Sequence, residues 1–247
     1  MLEEGLDGLG LELAEVVGRL VALNRFPVEP IGGESPNTVL LASGGFVGDR
    51  VYEICESSTG APLAPSATSE LPSYAARYLE DLVAEELDRW TRVRTPSGKE
   101  YTMTDGGWLA ELSHAVGFPL VLARRAAETN PLRLVSRPTL RLAERTYGAP
   151  LEPFRLRANM VVDMSEGKAF DEDQWKGRRI RIGQALLEVA DYAADCIVSR
   201  GVQIQGSPGD TDLLAGLVQI HGGHLGLAAR VLEGQRMRTG DPVVLVD

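Results

Sequence analysis

Arg179, Ile180, Arg181 and Ile182 alternate cationic and apolar side chains at period two. That pattern fits an extended strand with one face buried, both arginines on one side and both isoleucines on the other. The strand sits inside a longer stretch, residues 155–196, that holds two more extended runs. One is the apolar segment 158–162, closed by Asp163, and the other is 185–189, beyond the turn at Gly183. The charged run KAFDEDQWKGRR between the first two reads as a solvated loop. Cys196 follows the last strand, where a fixed backbone can aim a side chain.

The rest of the chain supplies similar short pieces. Strands are predicted over 19–26, 38–42, 50–55, 119–124, 132–136, 225–232 and 242–246. Segments 90–95 and 100–105 flank Pro-Ser-Gly-Lys, a hairpin signal. Helices are predicted over 73–87, 108–116 and 211–220, and from Pro138 through Tyr147. Leu2, Leu6, Leu9, Leu13, Val16 and Leu20 form an amphipathic helical stripe. That stripe packs either on the same chain or on a second copy in a homodimer. With no repeat and no long linker, the expected class is α+β with a dominant β component.

Composition narrows the partners. A net charge of −10 lacks the basic excess that nucleic acid or an anionic membrane surface would attract. No apolar run is long enough to cross a bilayer, and the acidic, glycine-broken N-terminus is unlike a targeting peptide. Two cysteines far apart, Cys55 and Cys196, argue against a disulfide framework and for the reducing cytoplasm. Among cations, lysine occurs only at positions 99, 168 and 176, so anion recognition would fall to arginine.

Several segments together resemble the MOSC family, the C-terminal domain of molybdenum cofactor sulfurases, also found in amidoxime-reducing proteins and in stand-alone bacterial chains. Arg157, Ala158 and Asn159 match its Arg-Pro-Asn, and Asp163 its trailing acid. Residues 175–183 match W-x-G-R-x-x-x-I-G, and Cys196 matches its cysteine. Upstream, NRFPVEPIGGE and GGFVGDRVYEI are similar to the family's Y-P-V-K-S strand and G-L-x-G-D-R turn. The resemblance implies a β-barrel core with peripheral helices. It divides the chain into an added N-terminal helix (1–17), an N-terminal β unit (18–95) and the barrel domain (96–247).

It also implies the molybdenum cofactor, with Cys196 as thiolate ligand to the metal or as carrier of a transferred sulfur. Arg50 and Arg157 would hold the pterin's phosphate, Asn159 would fix the pterin, and Ser136 and Thr139 would donate hydroxyls. Each has a plainer reading. Cys196 can be a buried hydrophobe, Arg50 can pair with Asp49 and Arg157 with Asp163, and a hydroxyl before a helix can be an N-cap. The chain departs from the family at Glu29 and Pro30, where a lysine and a serine face the cofactor. A reversed charge opposite a phosphate costs several kcal/mol in a partly buried site unless another cation compensates.

Three functions follow. The first is a cofactor-dependent oxidoreductase or sulfur-transfer enzyme acting on a small molecule, served by a separate redox or sulfur-donor protein. The second is an enzyme that kept the barrel without the cofactor, in which Glu29 is an acid or base. The third is a carrier that passes sulfur or cofactor through a Cys196 persulfide. His221 and His224 in HGGH lack further ligands at zinc spacing, and no common hydrolase, nucleotide or zinc-protease motif occurs.

Overall fold

The alternation at Arg179–Ile182 appears in three dimensions as predicted. In the computed structural model of the chain, Ile180 and Ile182 are fully buried while Arg179 faces solvent. Residues 15–79, 87–125, 131–147, 151, 156–164, 166–193 and 221–246 are described. Their main body is a closed seven-stranded barrel. In order around the wall its strands are β1 (Glu15–Leu23), β11 (Met160–Asp163), β10 (Leu132–Ser136), β14 (Leu227–Glu233), β13 (Ala185–Tyr192), β12 (Arg179–Ile182) and β16 (Pro242–Val246). Closure leaves no unpaired strand edge. Inward side chains of every strand fill the barrel, joined by Trp175 and Met237.

Strand β1 corrects one expectation. Val16 and Leu20, the end of the predicted helical stripe, lie in a strand paired with β11 on one side and β16 on the other. The β-branched pair Val16–Val17 suits a pleated surface, and two ladders outweigh a helical spacing. Residues 1–14, with the rest of the stripe and its suggested dimer contact, lie outside the described residues.

A second core packs beside the barrel. Strands β2 (Val28–Glu29), β5 (Tyr52–Glu56) and β9 (Leu120–Arg124) form one small sheet, and β6 (Ala75–Tyr78), β7 (Thr91–Arg94) and β8 (Glu100–Thr102) form another. With helix α2 (Gly107–Val116) they enclose Tyr74, Val93, Trp108 and Leu112. This core extends to Leu120, past the boundary expected at residue 95. The helix expected over 73–87 gives way to β6, whose buried Ala76 and Tyr78 alternate with outward residues and pair with β7. Leu87–Trp90 forms a short helical turn, α1.

Strands β10 and β11 run parallel, with Leu134 opposite Met160 and Ser136 opposite Val162. Helix α3 (Arg137–Tyr147) leaves directly from β10. The charged run expected to be a solvated loop instead carries a 3-10 turn, Asp171–Trp175, whose Glu172 and Trp175 are buried. Trp175 anchors the turn in the barrel core and carries its neighbouring acid inside. The helix expected over 211–220 lies outside the described residues.

Candidate active site

Strand β2 is only two residues long, and its second residue is Glu29. Pairing with β5 places Glu29 opposite Glu53, just beyond the turn that carries Asp49 and Arg50. The segment before β11 brings Arg157 and Asn159 to the same point. Glu29 Oε1 lies 3.1 Å from Arg50 Nε, and Glu29 Oε2 lies 3.1 Å from Arg157 Nε. One carboxylate thus bridges the two guanidinium groups that the resemblance gives to the cofactor's phosphate. Both guanidiniums also lie over the Phe26 ring, with Cζ 4.3 Å away for Arg157 and 5.5 Å for Arg50.

Arg50 commits all three of its nitrogens within the chain, using four of its five N–H donors. Its Nε donates to Glu29, Nη1 to Asp49 and to Asn159 Oδ1 (3.1 Å), and Nη2 to the Arg157 carbonyl (3.0 Å). Asp49 takes a further hydrogen bond from the Phe26 amide at 2.7 Å. Asn159 is fully buried and equally committed. Its Nδ2 donates to the Asn24 carbonyl and to Asp49, and its Oδ1 also accepts from the Arg133 amide.

Arg157 differs. Its Nη1 donates to the Ile31 carbonyl at 2.9 Å, whereas Nε and Nη2 are buried and make no hydrogen bond among the described residues. Its Nε meets Glu29 as a charge, outside hydrogen-bonding direction. The expected partner Asp163 is taken instead by Arg137 at 2.9 Å, because Asp163 ends β11 beside the start of α3.

Burial alone would raise the Glu29 carboxyl, but Arg157, Arg50, Arg133 and Arg125 together outweigh it and hold the group below its ordinary value of 4.5. Burial pushes the Arg157 guanidinium down to about 10, with Glu29 opposing the drop. Glu29 and Arg157 keep 19% and 16% of their side-chain surface exposed, against 4% for Arg50 and 2% for Asp49. The solvent-facing edge of the network is therefore the Glu29–Arg157 pair.

Ser136 and Thr139 are not part of this network. Ser136 ends β10, three residues beyond Arg133, a separation of about 10 Å along an extended strand. Ser136 Oγ lies 2.8 Å from Glu172 Oε2 and 3.0 Å from Thr139 Oγ1, and it accepts from the Thr139 amide at 3.2 Å, capping α3. Glu172 also accepts from the Ser136 amide, and Thr139 Oγ1 accepts from the Phe170 amide. Both hydroxyls are fully buried.

At that end of the barrel His221 is clamped. Its Nε2 lies 2.8 Å from Asp173 Oδ2 and its Nδ1 3.1 Å from the His224 carbonyl, while Phe170 stacks on the ring at 3.7 Å. The Tyr192 hydroxyl donates to the same Asp173 oxygen at 2.6 Å. Among the described residues, no group of three or more His, Cys, Asp or Glu is arranged to hold a metal ion. Cys196 lies outside the described residues. Cys55 is buried, and burial with Glu53 nearby pushes its thiol up, so it acts as a small hydrophobe.

Sequence reasoning missed Phe26, Glu172 and Asp173. The only signal for Glu172 and Asp173 was a tryptophan, Trp175, within an otherwise charged run.

A family model described as MOSC domain matches residues 122–244. The chain carries a MOSC domain. The family is associated with the molybdenum cofactor and with sulfur-related enzymes. Among solved structures, the chain is similar to the YuaD protein from Bacillus subtilis, with 18% identity, coverage of 95% of this chain and 96% of that one, and a TM-score of 0.43. It is similar to YiiM from Escherichia coli, with 12% identity, coverage of 93% and 70%, and a TM-score of 0.41. For YiiM from Geobacillus stearothermophilus the values are 19%, 47% and 54%, and 0.34. No curated protein matches the chain.

Against the family's cofactor the MOSC site gives a specific disagreement. Arg50, Asn159, Ser136 and Thr139 spend their hydrogen bonds within the chain, and Glu29 fills the position between the two arginines. A phosphate placed there would meet a carboxylate. The arrangement does not fit the cofactor's phosphate. Among the described residues, no helix is long and apolar enough to cross a membrane.

Proposed function

We propose that the protein is an enzyme that keeps the MOSC barrel and acts on a small anionic molecule, with no molybdenum cofactor seated at Arg50 and Arg157. The bridging carboxylate of Glu29 carries this reading. An ionised glutamate that bridges both guanidiniums, together with Asp49 on Arg50, offsets their two charges and weakens the charge complementarity a phosphate dianion requires.

The same geometry supplies a recognition element. Arg157 Nη2 is without a hydrogen bond among the described residues, beside the more exposed edge of the network. A substrate carboxylate is the natural acceptor for such a donor. Glu29 orients the guanidinium and, being held ionised, serves as acceptor or weak base and not as an acid near neutral pH. Cys196 supplies the thiol in this proposal, as nucleophile or sulfur carrier.

The test is the molybdenum and pterin content of the full chain purified from a host that makes the cofactor. Folded protein without molybdenum, and without pterin fluorescence after oxidation, is the expected result. Near-stoichiometric molybdenum that disappears in Cys196→Ser would overturn the reading and turn the search to reductase substrates and a redox partner protein.

A further inference from the structure

The two oxygens of Glu29 contact different guanidinium groups, as two oxygens of a bound anion would. Charge around it is lopsided. Arg157, Arg50, Arg133 and Arg125 all act on Glu29, while Asp49 is the other carboxylate hydrogen-bonded into the network. Arg157 retains buried Nε and Nη2 groups that make no hydrogen bond among the described residues. A buried donor left unmade is costly, so this corner of the network is stable only with an anion close by.

Backbone geometry points the same way. Arg50 and Arg157 have φ of 51° and 49°, in the left-handed region that non-glycine residues seldom adopt. Side chains held there at an energetic cost mark functional positions more often than structural ones. Both cradle arginines carry that cost.

We propose that Glu29 is a tethered anion that occupies the arginine cradle and competes with phosphate-bearing ligands for Arg50 and Arg157. The inference rests on the self-neutralised reading of the site and adds a gating role for one residue. A phosphomonoester reaches the cradle only when the Glu29 carboxylate withdraws. Glu29 ends the two-residue strand β2 and keeps 19% of its side chain exposed, the side toward which it would withdraw. Once Glu29 leaves, the arginines regain the net positive charge that a dianion needs.

Glu29→Gln removes the charge and keeps the side-chain volume. The probe is inorganic phosphate, titrated by calorimetry and by thermal shift at constant ionic strength, with chloride as the control. The proposal predicts that Glu29→Gln binds phosphate at least about tenfold more tightly than wild type and gains more thermal stability from it. Adding Arg157→Gln to that variant should abolish the gain, which separates the cradle from an adventitious surface site. If Glu29→Gln does not fold, Glu29→Asp, whose carboxylate is drawn back by one methylene, should shift affinity in the same direction. Phosphate affinity unchanged in a folded Glu29 variant, or a gain that survives Arg157→Gln, overturns the competition. Wild-type protein found loaded with pterin would instead sink the self-neutralised reading, so the two failures are distinguishable.

Discussion

At the scale of single residues, Glu29 has two consequences that separate in pH. Its folded-state pKa is depressed, so the stability it contributes is present above the ordinary value of 4.5 and is lost as pH falls through the folded value. Urea denaturation from pH 7 to pH 3 should therefore show a loss of stability on the acid side that Glu29→Gln lacks. At pH 7 the same variant leaves Arg157 and Arg50 without their shared partner and should cost about 3 kcal/mol, the usual penalty for breaking one side of a buried pair. Parallel pH profiles for the two proteins would contradict this assignment. The charge reversal was readable at Glu29 from the sequence, but its consequence was not. The sequence places Glu29 far from Arg157, and only the pairing of β2 with β5 and the approach to β11 bring the three charges together.

At the scale of elements, period-two alternation identified β12 because the strand buries Ile180 and Ile182 and leaves Arg179 exposed. Patterning failed where pairing partners outweighed local signals, as at Val16 in β1 and at Ala75–Tyr78 in β6. It failed again in the 3-10 turn Asp171–Trp175, where a buried acid looks like its solvated neighbours until Ser136, from a distant strand, is placed against it. Glu172 is a structural acceptor there. Glu172→Ala should strand the Ser136 amide in a buried site, leaving its hydroxyl to Thr139, and cost about 1–3 kcal/mol, read from chemical denaturation. Glu172→Gln, which keeps an acceptor, should recover part of that loss. Equal stability of Glu172→Ala and wild type would mean that the Ser136 end of β10 is hydrated.

At the scale of the whole molecule, the barrel holds its two polar clusters apart. Parallel pairing of β10 with β11 sets Asn159 and Arg133 at one end and Ser136 at the other, about 10 Å along the strands. Motif order along the chain groups these residues in one MOSC-like constellation, yet order carries no distance, and the ends of a strand are not one site. At the first of these clusters Glu29 and Arg157 offset each other's charge. A double-mutant cycle with Glu29→Gln, Arg157→Gln and the pair, read as unfolding free energies at pH 7, tests it most directly. Charges in contact in a part-buried network should couple by about 1–3 kcal/mol, so that the double variant loses less than the sum of the single ones. Additivity within about 0.5 kcal/mol would contradict the claim and leave the arginine cradle open to an external anion.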